Sequence, residues 1–420
     1  MPLFILGIIV LMLSADLWWW WRADRALRPP VPRSATLRTA LAGFMLLAVG
    51  GLVTIIVSRS VGFALPTWFI AGLFIWHFLV LPVVAIPSLL LAIVSAPARF
   101  FGATRAPGDE PTTGNPPSAA STGPTDPITL SRRGFLAASL AAAPPLVTIV
   151  STTRAMGQLD EFRIRRLIVP IAALPKDLDG MTLAHVSDVH VGSFTRGRTL
   201  DLLAEAVSRL RVDLVLQTGD LINNSVADLP DALAMSRKFD SRYGQYVVEG
   251  NHDLFQGRLA FERRVRDAGI PLLLNESVEV RVRGAPVQIL GLRWGYVGPT
   301  DDPLARPPRG GGDGAVAQSM RDLLPQRRDD AFQILLAHHP HAFDPAADAG
   351  VPLTLAGHTH GGQLHLTPGI GFGPWMYRYW SGLYRKRDSA LVVSNGAGNW
   401  FPLRINAPAE VIHITLRRDA

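Results

Sequence analysis

Four apolar stretches fall within the first 150 residues, and no other feature limits the fold so tightly. About twenty apolar residues suffice for a helix to cross a bilayer, where every backbone polar group must be satisfied within the segment. Residues 3–21 form the first stretch and end in Trp18-Trp19-Trp20-Trp21 before Arg22, side chains suited to a membrane interface. Residues 39–57 form the second, and residues 67–95 the third, long enough to span with tilt despite Pro82 and Pro87. The fourth, 135–150, is short, contains Pro144-Pro145 and is marginal as a span by length alone.

Arginine placement sets the expected orientation. The loop after the first stretch carries Arg22, Arg25, Arg28, Arg33 and Arg38; the next carries only Arg59; the third carries Arg99, Arg105, Arg132 and Arg133. Positive loops stay in the cytoplasm, so the N-terminus and everything beyond residue 150 are expected outside, provided the fourth stretch crosses. The expected place is therefore the cytoplasmic (inner) membrane, multi-pass, with the soluble part on the extracytoplasmic side. "SRRGFL" at 131–136 resembles a twin-arginine export signal, so the twin-arginine machinery is an expected partner. No peptidase site is evident, since Ala141-Ala142-Ala143 is followed by proline, and the segment is expected to remain as an anchor. The expected organisation is a three-span region over 1–100, a flexible Pro/Gly/Ser/Thr-rich linker over 101–130, a signal or anchor over 131–153, and a soluble domain over 154–420.

The net charge of +7 raises nucleic acid as a partner, but its distribution argues against that reading and leaves a nuclease the weaker one. Residues 1–153 hold ten Arg, no Lys and five acids, whereas residues 154–420 are nearly balanced with 31 basic and 29 acidic side chains. The absence of cysteine removes disulfides, thiol nucleophiles and thiolate metal sites. A metal would have to be held by His, Asp, Glu or Asn, which suits Mn, Fe, Zn or Mg.

From about residue 160 short apolar β-runs alternate with helical stretches such as "TLDLLAEAVSRL" and "RLAFERRVRDAG", the pattern of an α/β domain. Residues 299–314 read as a mobile surface loop. Five of the strand-like runs end in metal-ligand chemistry. Asp188 and His190 follow "MTLAHVS", Asp220 follows "DLVLQTG", and Asn251, His252 and Asp253 follow "YGQYVVEG". His338 and His339 follow "AFQILLA", and His358 and His360 lie in "GHTHGGQ" after "VPLTLA". A lone histidine after a strand is usually structural; five such strand ends together point to one site. Two carboxylates, one amide oxygen and several imidazoles exceed the needs of one four-coordinate ion and suit two ions sharing a carboxylate.

The ordered blocks Asp-x-His, Gly-Asp-x-x-Asn, Gly-Asn-His-Asp, His and Gly-His-x-His resemble those of the calcineurin-like metallophosphoesterases, over roughly residues 180–416. "LLLNESV" and "FPLRINAPAEV" are similar to the bacterial membrane-associated branch. The resemblance implies a four-layer α/β/β/α sandwich, here preceded by an α-helical transmembrane region. It implies two divalent metal ions, one on Asp188, His190, Asp220 and His360, the other on Asp220, Asn251, His338 and His358. His252 is then the catalytic proton donor, oriented by a nearby carboxylate for which Asp253 is the candidate. The family commonly has an acid where this chain has Asn223, so altered hydrogen bonding around the ligands is expected. Gly357 and Gly361 are expected to let the chain turn between ligands. His185, His365 and His413 are assigned structural roles and His77 a packing role; Arg404 is open between a phosphate contact and a surface salt bridge. The implied activity is a phosphoric ester hydrolase acting on a phosphate ester or diphosphate, with a phospholipid-like substrate considered because of the membrane anchor. A catalytically retired membrane sensor or scaffold is the competing reading, and the complete ligand set speaks against it.

Overall fold

The computed structural model describes residues 3–28, 34–61, 63, 65–101, 132–159, 161–295, 313–367, 370–371 and 373–419. The expected linker, but for its first residue, and residues 299–312 of the expected surface loop lie outside these. The chain divides into two compact units, Met1–Thr153 and Arg154–Ala420.

The first unit is helical. Helix α1 covers Leu3–Ala26 and α2 covers Ser34–Val61. Helix α3 (Thr67–Phe74) passes through a π-helical turn, Ile75–Val80, into α4 (Leu81–Phe101). Helix α5 runs from Arg132 to Gln158. Among the described residues three helical stretches are long and apolar enough to cross a membrane: Ala35–Ile55, Thr67–Val94 and Gly134–Gln158. The last is longer than the apolar run 135–150 suggested. Pro144 and Pro145 lie inside the helix without ending it, as prolines are tolerated in apolar helices whose neighbours satisfy the backbone. Within this unit Asp16 is fully buried; it accepts from Trp76 Nε1 at 2.7 Å and lies 3.0 Å from His77 Nε2. His77 Nδ1 donates to the Leu73 carbonyl at 2.8 Å.

The second unit starts with β1 (Phe162–Ile171), β2 (Thr182–Val186), α6 (Arg198–Arg209), β3 (Leu214–Gln217), α7 (Leu229–Ser236), β4 (Gln245–Val247) and α8 (Arg258–Asp267). It continues with β5 (Glu276–Val282), β6 (Ala285–Gly291), α9 (Asp313–Leu323), β7 (Phe332–Leu336), α10 (Phe343–Asp348) and β8 (Leu353–Ala356). A small ribbon, β9 (His365–Thr367) with β10 (Ile370–Gly371), and α11 (Gly373–Met376) precede β11 (Gly382–Lys386), β12 (Ser389–Val393) and β13 (Ala409–Arg418).

Two sheets result. One has the order β1-β13-β2-β3-β4, the other β11-β12-β8-β7-β6-β5. Side chains alternate across each strand, and that period decides the layers. Leu183, Leu214, Leu216, Ile412 and Ile414 from the first sheet share a core with Val287, Ile289, Ile334, Leu336, Leu353, Leu355 and Val392 from the second. The alternate residues Ala184, Val186 and Val215 pack under Leu200, Leu203 and Val207 of α6 and Phe261 and Val265 of α8. Leu290 and Leu335 pack under Val316, Met320 and Leu323 of α9. Helices therefore cover the outer face of each of two facing sheets, which is the four-layer α/β/β/α sandwich. Strands β2, β3 and β4 are mutually parallel, as are β7 and β8, so each set releases its chain at one end of its sheet.

Candidate metal centre

Those strand ends converge. Asp188 and His190 follow β2, Asp220 follows β3, Asn251 and His252 follow β4, His338 follows β7, and His358 and His360 follow β8. The backbone is bent to aim them: Asp188, His190, Asp220, His358 and His360 have φ between 50° and 71°. Residues with a Cβ seldom adopt that left-handed region, and each instance costs on the order of 1 kcal/mol. Concentrating five of them among seven candidate ligands marks a site whose geometry opposes local preference. Gly357 leaves room for Asp188 and Ser187, where a Cβ would collide with both side chains, and Gly361 turns the chain at φ 61°.

The donor atoms form two linked groups. In the first, His360 Nε2 lies 3.3 Å from Asp188 Oδ1 and 2.9 Å from His190 Nε2. In the second, His338 Nε2 lies 3.1 Å from Asn251 Oδ1, and His358 Nδ1 lies 3.0 Å from that oxygen and 3.3 Å from His338 Nε2. Asp220 joins them, its Oδ2 being 3.5 Å from His190 Nε2 and 3.1 Å from His338 Nε2. Its Oδ1 is taken by the backbone N–H of His252 at 2.8 Å. Donors bound at about 2.0–2.2 Å to one cation stand about 3–3.5 Å apart, so these separations suit the edges of coordination shells.

Tautomers support the same assignment. His338 Nδ1 faces the Thr218 carbonyl at 2.7 Å and must donate to it, so when the ring gives up its other proton the Nε2 lone pair faces the cluster. His190 Nδ1 is buried without a partner among the described residues. His360 Nδ1 faces Arg404 at 3.3 Å and accepts from it, so the neutral ring carries its proton on Nε2, and that proton must leave for Nε2 to serve as a ligand. Burial opposes ionisation of Asp188, but the His360 and His190 imidazoles override it and hold its carboxyl well below the usual range. Asp220 is held low in the same way by His338. Burial alone would lower His338, yet the Asp220 carboxylate pushes it up to about 9. Buried carboxylates and an amide oxygen packed against several imidazole nitrogens are a donor set that fits a cation once those imidazoles are neutral.

His252 is placed differently. Its Nδ1 donates to the Asn223 carbonyl at 2.5 Å, leaving Nε2 as the nitrogen available to a substrate. A ligand atom of His252 also comes within 4.8 Å of those of His190 and Asp220. Asp253 does not orient it. Its carboxylate accepts from the backbone N–H groups of Asp220, Ile222 and Gly250 at 2.9–3.0 Å and so clamps two ligand loops together. The orienting group is a carbonyl, not a carboxylate, because the turn after β4 points Asp253 back at the β3 loop.

Of the remaining histidines, His339 lies beside the cluster with its ring 4.8 Å from that of His358, and its Nδ1 accepts from the His341 N–H. His185 is buried against Thr218 Oγ1 at 2.9 Å, and His365 Nε2 donates to the Gly361 carbonyl at 2.7 Å. Arg404 is neither a phosphate contact nor a surface ion pair. It is fully buried and donates to the carbonyls of Asn395, Gly398 and Ala407 and to Asn399 Oδ1. Sequence reasoning missed the aromatic residues around the cluster. Trp294 lies 5.2 Å from the rings of both His338 and His358, Phe255 4.6 Å and Trp400 6.0 Å from His252, and Tyr377 6.0 Å from His358. "NHDLF" and "GNW" placed two of them next to motif blocks, which was the only signal available.

Comparison with known proteins gives a consistent result. Residues 181–362 match the family model described as calcineurin-like phosphoesterase. A Danio rerio protein named "Transmembrane protein with metallophosphoesterase domain" is 30% identical over 255 residues, 60% of this chain and 56% of its own length. A Helicobacter pylori uncharacterized metallophosphoesterase is 28% identical over 60% of this chain and 64% of its own. The uncharacterized metallophosphoesterase YkuE of Bacillus subtilis is 27% identical over 58% and 82%. The chain thus spans less than two thirds of the first two relatives. The matched residues contain every candidate ligand, and over this stretch the chain is similar to the calcineurin-like metallophosphoesterases.

Proposed function

We propose that the chain is a membrane-associated, metal-dependent phosphoric ester hydrolase with a dinuclear centre. One divalent ion would be held by Asp188, His190, Asp220 and His360, the other by Asp220, Asn251, His338 and His358. The observation that carries this is the position of Asp220 Oδ2 between the Nε2 atoms of His190 and His338, one oxygen facing both groups. Two divalent ions, drawn from Mn, Fe, Zn or Mg, would supply Lewis-acid stabilisation of the phosphoryl oxygens and lower the pKa of water.

The chain's own residues do the rest. Asp220, fixed through Oδ1 by the His252 backbone, keeps the two groups in register. A water oxygen bonds to phosphorus and gives one proton to solvent, the ester P–O bond breaks, and the departing oxygen takes a proton from His252 Nε2, which regains one from solvent, with Nδ1 anchored on Asn223. Hydrolysis of an aryl phosphate mono- or diester by the purified full chain, lost on chelation and restored by Mn or Zn, tests the reading. Turnover unaffected by chelation would refute it.

The apolar helices and relatives named as transmembrane proteins support membrane association. We assign the catalytic unit to the extracytoplasmic side of the inner membrane, delivered by Arg132-Arg133, on the arginine distribution alone. A lipid-linked ester is the substrate class such anchoring suggests. Protease added to intact spheroplasts should digest residues beyond 150, and protection until lysis would invert the topology.

A further inference from the structure

We infer that the cleft takes phosphate esters whose departing alcohol is apolar, an alkyl or aryl group seated against Phe255 and Trp400. This rests on the phosphoesterase reading and on His252 as donor to the leaving oxygen. A proton donor must come within hydrogen-bond reach of the atom it protonates, so whatever stands beside the His252 ring stands beside the alcohol. Phe255 and Trp400 stand there, at 4.6 and 6.0 Å between ring centres. They are 55% and 38% exposed, and Phe401 extends the surface 5.6 Å beyond Trp400. The side of the ring that would receive the alcohol therefore carries an aromatic surface. A large exposed aromatic pair needs a reason, and an apolar ligand is one.

Asn223, the position at which the chain departs from the family it resembles, holds this wall. Its carbonyl accepts the His252 Nδ1–H, and its side-chain Nδ2 donates to the Trp400 carbonyl at 3.3 Å. A carboxylate at that position could not donate to a carbonyl. One residue thus touches both the proton donor and the backbone of the segment that carries Trp400.

The test measures binding of methyl-, butyl-, hexyl- and phenylphosphonate to the Mn-loaded full chain by calorimetry. Each added methylene should tighten binding by about two- to fourfold. The Phe255→Ala/Trp400→Ala variant should flatten that series, Trp400→Phe should keep it, and Asn223→Asp should weaken it. Metal content and circular dichroism of each variant establish that it is folded, and partition into detergent is common to all. Hexyl binding tighter than phenyl identifies a lipid-like chain, and the reverse identifies a soluble aryl ester. Equal affinity for methyl- and hexylphosphonate, or a series that survives in the double variant, overturns the inference while leaving the phosphoesterase reading intact. Failure of every phosphonate to bind the loaded protein would refute both.

Discussion

Each unit of this chain buries an aspartate against a histidine, and the two pairs have opposite consequences. In the helical unit Asp16 lies 3.0 Å from His77; in the α/β unit Asp220 lies 3.1 Å from His338. Around Asp16 the chain supplies a partner for each polar atom. Trp76 donates to one oxygen, His77 meets the other, and the second His77 nitrogen is spent on the Leu73 carbonyl. Around Asp220 further ligand side chains crowd in. The Nε2 of His190 meets the Nε2 of His360, and the Asn251 oxygen faces two imidazoles. One aspartate with one histidine fastens helices, whereas several ligand side chains converging on one carboxylate suit a cation. Residue type does not separate the two cases; the number of ligand side chains brought together does.

The largest effect that would sharpen this contrast is at the shared carboxylate. Asp220→Asn should lose both ions, because one oxygen faces both groups and its charge offsets both cations. Elemental analysis showing two ions per chain in that variant would break the assignment.

Next comes the proton donor. His252→Gln should retain metal and lose about 10²–10⁴-fold in turnover, with a smaller loss for nitrophenyl esters, whose leaving group needs little protonation. Burial lowers the proton affinity of His252, with Asp220 opposing it. The acid form is the active one, so wild-type turnover should fall as pH rises through a value below the ordinary imidazole range. That limb should be missing from the Gln variant, and a loss independent of the leaving group would contradict the donor role.

A smaller effect concerns the metal-free protein. His338, at about 9, is protonated at neutral pH, and a ligand must be deprotonated. Metal binding near pH 7.5 should therefore release about one proton from this residue, declining to none as pH rises above about 9. Calorimetry in buffers of different ionisation enthalpy reads that number, and a release that grows with pH would contradict it.

The smallest effect lies in the helical unit. Asp16→Asn should weaken the packing of α1 on the π-helical turn by about 1 kcal/mol, in the range of hydrogen bonds between membrane helices. Thermal denaturation followed by helical signal should show it, with metal content unchanged. A fall in bound metal would mean that the two pairs are not independent in the way described.

The sequence made the ligands readable because each stands directly after an apolar β-run, within one or two residues of glycine in most blocks. The layers were not readable, since β2, β3, β7 and β8 are buried along nearly their whole length, and the four-layer sandwich came only from the family resemblance. What escaped is set by convergence of segments far apart. Asn223 and Trp400 are 177 residues apart, Asp16 and His77 61, and neither pair leaves a local pattern. Asp253 sits beside His252 in sequence, yet the turn after β4 sends it to the opposite loop. Arg404, open in the sequence between a phosphate contact and a surface salt bridge, is instead buried by carbonyls of its own loop between β12 and β13, whose folding leaves no local pattern. The π-helical turn Ile75–Val80 is likewise invisible to hydropathy, which registers only a continuous apolar span.

The central claim is that two ions share Asp220. Electron paramagnetic resonance of the full chain loaded with two equivalents of Mn(II) tests it most directly. A shared carboxylate oxygen requires exchange coupling, so the six-line signal of isolated Mn(II) should give way to a coupled spectrum as the second equivalent binds. Two equivalents bound with an undiminished six-line signal would contradict the account.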